Sequence, residues 1–514
     1  GIKDAMLGTH FAEMGDLKDA ASHFQAAVTQ DPTRASVWRL LADCNVGLGQ
    51  MDLAVSAINS GAKANPNDKG LQTLQQQSSL LARAGAEGQL RPVVGTIVRD
   101  PLNSDTNIEL LQIMLDGFAA HDNEMIVSRL DDLIERHPDN VEARLQLIQT
   151  YVAMERFNDA LSAARRAMTD FAGDPRAARA AMEICRDARL WRDLQSTAQE
   201  LKRRSPGDGL AADTAIAMAM IAQDDASDAV DQLSPYLDQF KADPKKYSSM
   251  APVYAAALAN NGQTSAAAQW LWPLVTADPY WRHIWIDAAK DLPSTTDAVA
   301  WLDKVAAIIP PDAVFDRVNL ALAYDIVGRR ASDPKLTQKG ADMVATIAQS
   351  PAANADALQA AGMLMEAAGN WKQAEDYYRQ ALAKSTQLFS AANNLAMLLI
   401  RHGGDAHEAL NLMRQAVQQD PRTATIYDSL AAVEEAASDP NAAVDSETTA
   451  TKLQPDNLTW QVRLAGYLLD AGNRPASARM VENMDLHGFS LSSLTPTVQS
   501  QLADLRKRLK HAQN

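Results

Sequence analysis

Cysteine is almost missing from this chain. Only Cys44 and Cys185 occur in 514 residues, both inside helical patterns. A disulfide framework is therefore excluded, and neither thiol sits in metal-ligand spacing. Aromatics are also scarce, at 5% against 46% hydrophobic residues overall. Alanine and leucine supply much of the apolar content, which suits close helix packing. Positive charge is in deficit, with 48 Lys and Arg against 64 Asp and Glu, a net charge of −16. Such a balance repels phosphate backbones and argues against a nucleic-acid partner. It also keeps a long exposed surface soluble. No apolar run is long enough to span a bilayer, and no leader is visible. Any membrane link would run through partners or through an anchor outside the chain.

The motifs of chemistry are missing too. There is no HExxH, no paired CxxC, no Walker loop and no GxGxxG following a strand. No GxSxG elbow occurs. His402 and His407 lie five apart across Gly403-Gly404 and read as solvated loop histidines rather than a metal site. We expect no enzyme activity in this chain, no catalytic residues, no metal and no cofactor.

What is present is a repeat. Segment 1–34 carries Leu7-Gly8, Phe11, Gly15, Ala20, Phe24, Ala27 and Pro32. Segment 35–68 repeats it 34 residues later with Trp38, Leu41-Ala42, Gly49, Ala54, Ile58, Gly61 and Pro66. Positions 4, 7, 8 and 11 of the unit fall on one face of a first helix. Position 8 is small because the second helix crosses there, and position 20 is small on the other side of that crossing. Gly at position 15 ends the first helix, and Pro at position 32 stops the unit. Units with drift start at 141, 248, 355 and 424, and weaker ones near 71, 107, 175, 210, 279, 314, 389 and 458.

This period and pattern resemble the tetratricopeptide repeat over essentially the whole chain. The resemblance implies an all-α, right-handed superhelical solenoid of about 14 helix pairs spanning 1–487, closed by a capping helix in 488–514. That last stretch carries Leu494, Leu502, Leu505 and Leu509 at helical spacing. Weak units are expected near 71–140, where Leu90 replaces a small residue, and near 175–245. Arg329–Gly340 reads as an insertion forming a longer loop between two helices. Gly1 falls on the first position of a unit without a cap before it, so the chain reads as cut from something longer.

In this family the first helix of each unit lines the inner wall, chiefly through positions 2, 5, 9, 12 and 13. The basic clamp that chaperone-binding members use is not matched. Position 5 reads Ala5, Arg39, Gln75, Leu111 and Leu145 in the first five units. The asparagine ladder of the sugar-transferring members is not matched either, since position 6 has asparagine only at Asn319 and Asn394.

What remains is an apolar tract in the second half. Phe315, Val318 and Leu322 take positions 2, 5 and 9 of one unit, and Met363, Met397 and Ile400 come in the next two. Large aliphatic and Met side chains at such spacing hold the apolar face of a partner helix, or else are buried by curvature. Five tryptophans cluster between Trp270 and Trp301, where the spacing from Pro279 to Pro310 is short. Trp285 is a core position. Trp281 and His283 are candidates for binding, with bulky filling of an irregular unit as the alternative. The partner-binding candidates are therefore Trp281, His283, Phe315, Val318, Leu322, Met363, Met397 and Ile400.

The function implied is a non-catalytic protein–protein interaction scaffold that organises a multiprotein assembly through its concave groove. The partners would be other proteins, offering a helical or extended apolar segment. The alternative is a regulatory or substrate-presenting arm of a larger enzyme whose catalytic domain lies outside this chain. Asn393–Pro421 is loosely similar to repeats of bacterial proteins that serve exopolysaccharide export and envelope assembly. That likeness leans the compartment toward the periplasm or envelope rather than the cytoplasm.

Overall fold

A computed structural model of the chain describes residues 1–350, 353–486 and 495–511. Gly488 and Leu494, at the start of the expected capping segment, lie outside the described residues. Described residues form antiparallel helix pairs and contain no strand. Fourteen pairs run from Ile2–Glu13 with Leu17–Gln30 to Leu458–Asp470 with Arg474–Leu486, and a further helix, Pro496–His511, comes after them. The chain divides into two compact units, Gly1–Tyr151 and Val152–Asn514.

In at least two pairs the crossing works by size exchange. A Cβ on Gly8 would come 2.7 Å from the ring of Phe24, and one on Gly362 would come 2.4 Å from the ring of Tyr378. Phe24 and Tyr378 are fully buried. The missing side chain on the first helix is thus the space that the second helix's aromatic ring fills.

The turn between the two helices is a backbone device. Among the described residues, twelve adopt the left-handed conformation. Six are glycines (Gly15, Gly49, Gly262, Gly369, Gly403 and Gly472), and six are His121, Glu155, Arg189, Asp224, Ser332 and Ser438. All but Ser332 fall at position 15 of their units. An aspartate that caps the second helix often comes next: Asp16 accepts from the Asp19 N–H, Asp122 from Met125 and Asp439 from Ala442. A side chain in the left-handed region costs about 1 kcal/mol. Arg189 and Ser438 are exposed and lose little else on truncation. Changing either to Gly is therefore expected to raise stability by about 0.5–1 kcal/mol, after allowing for the freer unfolded chain. Thermal melting checks this, and a lowered midpoint in both variants would refute it.

The two units without such a turn are the irregular ones. Near 71 the first helix is interrupted at Gln77, giving Lys69–Gln76 and Ser78–Ala86 before a short second helix, Arg91–Arg99. Leu90 stands where a small residue normally lets the helices cross, and it is fully buried. Near 279 both helices are short, Trp281–Lys290 and Thr295–Ala306. Tryptophan fills the volume left over. Trp285 is fully buried, stacks on Trp301 at 4.2 Å and donates its Nε1–H to the Trp301 carbonyl at 2.8 Å.

The segment Arg329–Gly340 departs from the expectation of a loop. The first helix runs on to Ala331 and the second begins at Pro334, so most of the extra residues are helical. Ser332 takes the left-handed turn eighteen residues after Val314, where Gly369 takes it fourteen after Ala355. The insertion therefore adds about one helical turn to the first helix. Asp333-Pro334 is a helix start, with Asp333 accepting from the Lys335 N–H and Pro at the first position.

Helix pairs in such a stack touch mainly their neighbours. One contact in Val152–Asn514 is an exception. Arg156, just before the helix Phe157–Asp170, lies 3.3 Å from the carboxylate of Asp456, just before the helix Leu458–Asp470.

Candidate functional site: the groove of first helices

Ala-rich first helices with small residues at the crossing pack closely, and their other face is left to form a common wall. Between Val314 and Arg508 this face carries several apolar side chains and a cavity. On Val314–Ala331, Phe315, Val318, Leu322 and Ile326 recur at spacings of three and four, which places them on one helical face. Phe315 is 69% exposed and Ile326 46%. Val318 and Leu322 between them are half-buried. On the next first helix Met363 is 46% exposed. Met397 and Ile400, on Phe389–Arg401, are half-buried and packed partly against the core beneath.

Trp281 and His283 behave otherwise. Trp281 is 2% exposed and meets Phe240 edge-on at 5.7 Å, within the aromatic core of the short unit. It is a filling residue, removed from the candidate surface because the shortened helices around it leave volume to occupy. His283 is half-buried, with its ring edge against Tyr280 at 5.0 Å. An ion pair between Arg282 and Asp316 at 3.0 Å ties this short unit to the helix that carries Phe315.

Ile326 was not among the sequence candidates. It lies four residues after Leu322 on the same face, and the helix reaches it because of the extra turn. The spacing was available, but the insertion hid it.

Toward the C-terminal end of this stretch lies a cavity of about 400 Å³. Its floor is position 9 of three successive first helices, Met397, Ala432 and Gly466. Val462 and Leu505 add apolar wall. Charged groups stand at the rim. Arg463 is ion-paired with Asp428, and Arg508 with Asp470. Beneath lies Glu447, fully buried, with neither carboxylate oxygen accepting a hydrogen bond. Burial and then the charge of Asp428 push its carboxyl up to about 9.

No three His, Cys, Asp or Glu side chains gather as a metal site among the described residues. His402 stacks on Trp371 at 4.3 Å. Both cysteines are buried and unpaired, and burial followed by the Asp43 charge pushes the Cys44 thiol up to about 11. No helix among the described residues is long and apolar enough to cross a membrane.

Tetratricopeptide-repeat family models match residues 11–78 and 118–183, and a second such model matches 357–390. No curated protein matches the sequence. Among solved structures, yeast Tom70 is 13% identical at a TM-score of 0.36, covering 94% of this chain and 98% of its own. Cut9 in the APC/C hetero-tetramer Cut9-Hcn1 is also 13% identical, at 0.35, covering 98% and 95%. YrrB, described as a TPR protein with an unusual peptide-binding site, is 18% identical at 0.29, covering 37% of this chain and 94% of its own. The family models identify tetratricopeptide repeats at 11–78, 118–183 and 357–390, and helix pairs of the same form recur along the rest of the described residues.

Proposed function

We propose that the chain is a non-catalytic scaffold whose groove between about 314 and 508 holds an amphipathic helix from another protein. One observation carries this reading: Phe315, Val318, Leu322 and Ile326 form an apolar face, exposed at its two ends, on a wall that Met363 and Met397 continue. Exposed apolar side chains in a connected row mark interaction surfaces more often than isolated ones do. Met adapts to varied partner shapes, and a helix laid into a helical groove presents anchors at matching spacing. The excess of acidic residues favours partners with basic flanks.

Burial of each exposed side chain contributes at most about 1.5–3 kcal/mol, less the cost of ordering the partner. The test uses a displayed library of random 16-residue peptides selected on the full chain. Selected peptides should lose at least about tenfold in affinity for a Phe315→Ser, Met363→Ser double variant, equivalent to about 1.4 kcal/mol. Both side chains are exposed, so the melting temperature of the variant should stay within about 2 °C of the parent, as for surface changes in general. Peptides that bind the variant as tightly as the parent, or a library that yields no binder, would remove this surface from consideration.

A further inference from the structure

The groove lies on the inside of a ring. Within Val152–Asn514, each helix pair from the one at 176–204 to the one at 424–453 packs on the next, and Phe157–Asp170 packs on the first of them. Arg156 comes just before this run of helices and Asp456 just after it, and their side chains meet at 3.3 Å. A continuous stack whose two ends touch surrounds a space.

The first helices face that space. Ala251–Asn260 meets Trp281–Lys290, which meets Val314–Ala331, which meets Ala355–Ala367. The second helices of the same pairs stand farther apart from one another. Long charged side chains span the wider gaps on that side, Lys339 reaching Asp303 at 2.6 Å and Arg379 reaching Glu408 at 2.8 Å. A wall that is narrow at its first helices and wide at its second helices curves with the first helices inside. Because the pairs stand side by side around the ring, each first helix runs across the wall from one opening to the other. The row Phe315, Val318, Leu322 and Ile326 follows that direction and covers about 16 Å, eleven residues at about 1.5 Å each. Its two ends are the exposed ones, as expected of side chains near the two openings.

We infer that the segment held in this groove is the end of a chain, threaded through the ring that Arg156 and Asp456 complete. The inference rests on the groove being a peptide-binding surface. A helix laid along the row from Phe315 to Ile326 leaves by both openings, so its two flanks lie on opposite sides of the ring. A segment with a free end reaches that position by passing through. A segment between two folded domains reaches it only after Arg156 and Asp456 have parted. Binding that waits on a change in the protein is slow to form, whatever the final affinity. The partner class is thus a terminal amphipathic helix, and an internal helix of the same sequence is discriminated against by rate.

The experiment uses the full chain with Arg156→Cys, Asp456→Cys, which removes the ion pair and lets a short bis-maleimide lock the ring. Both native thiols are buried, and the parent chain treated with the same reagent is the control. One selected peptide is prepared in two forms, with a free end and enclosed between two small folded domains. The free-ended form should associate within about twofold of the same rate with the locked and unlocked chains, since neither obstructs an end. The enclosed form should bind the unlocked chain, associate at least about tenfold more slowly with the parent, and fail to bind the locked chain. Equal behaviour of the enclosed form toward locked and unlocked chains overturns the inference. So does loss of the free-ended form on locking, or a linker that never joins the two cysteines of one chain. In each of those cases sensitivity of the free-ended peptide to Phe315→Ser, Met363→Ser on the parent leaves the groove standing. A free-ended peptide indifferent to that double variant overturns the groove, a separate result.

Discussion

Gly340→Ala is expected to destabilise the chain by about 2–3 kcal/mol, although alanine is the better helix former. Gly340 lies inside the helix Pro334–Ala348, and a Cβ there would fall 2.5 Å from the carbonyl oxygen of Ala321 and 3.3 Å from the Asp325 nitrogen. These are backbone atoms of the facing helix and cannot rotate away. Gly328 answers from the opposite helix, where a Cβ would fall 2.7 Å from the Thr337 nitrogen. The two glycines let the lengthened pair approach backbone to backbone. Gly466→Ala is the control. It adds the same methyl group in open space and should stabilise by up to about 1 kcal/mol through helix propensity alone. Thermal melts of the two variants should move in opposite directions. Hydrogen exchange should place the loss for Gly340→Ala in 314–348. A stabilised Gly340→Ala would show that the pair is not closed by contact.

The second large effect is one of pH. Glu447 is buried among Asp428, Arg463 and Tyr467, and its carboxyl is raised from an ordinary value near 4.5 to about 9. A carboxyl raised on folding contributes fully below its unfolded value, and its contribution falls as pH climbs toward the folded one. The helix pairs around 424–486 should therefore be most stable near pH 5 and weaken progressively toward pH 9. Held neutral, Glu447 can donate to Asp428, which pairs with Arg463 on its other side. Glu447→Gln keeps a donor and removes the titration. It should add about 1–3 kcal/mol at pH 8–9, change little at pH 5, and flatten the profile between. Hydrogen exchange over 424–470 at several pH values reads this directly. A variant less stable than the parent at pH 8 would show that the charged carboxylate is needed.

How far the sequence carries depends on whether the deciding quantity is a residue type or a volume. In the units starting at 141, 175, 210 and 424 the turn falls where the repeat places it, because Glu155, Arg189, Asp224 and Ser438 each take the left-handed conformation fourteen residues after the start, whereas the units near 71 and 279 have no such turn and the one near 314 turns four residues later. No glycine marks those turns, so the register had to come from the apolar spacing. The insertion was legible in length and not in form. Asp333-Pro334 reads as a loop or as a capped helix start, and the close packing of Gly328 against Thr337 and of Gly340 against Ala321 accompanies the helical form. Apolar groove positions were legible as positions, but exposure was not. Trp281 went inside because its helices are short, while Phe315 stayed out. The cavity at Gly466 gives no apolar signal, since what defines it is a side chain that is missing.

The contact between Arg156 and Asp456 joins two turns of chain three hundred residues apart within one unit. An ion pair with one partner this exposed is worth under about 1 kcal/mol and weakens with salt. It is a weak latch between two stretches of the stack that are distant in sequence. The consequence is one of closure: this contact should open as ionic strength rises while the helix pairs on either side stay folded.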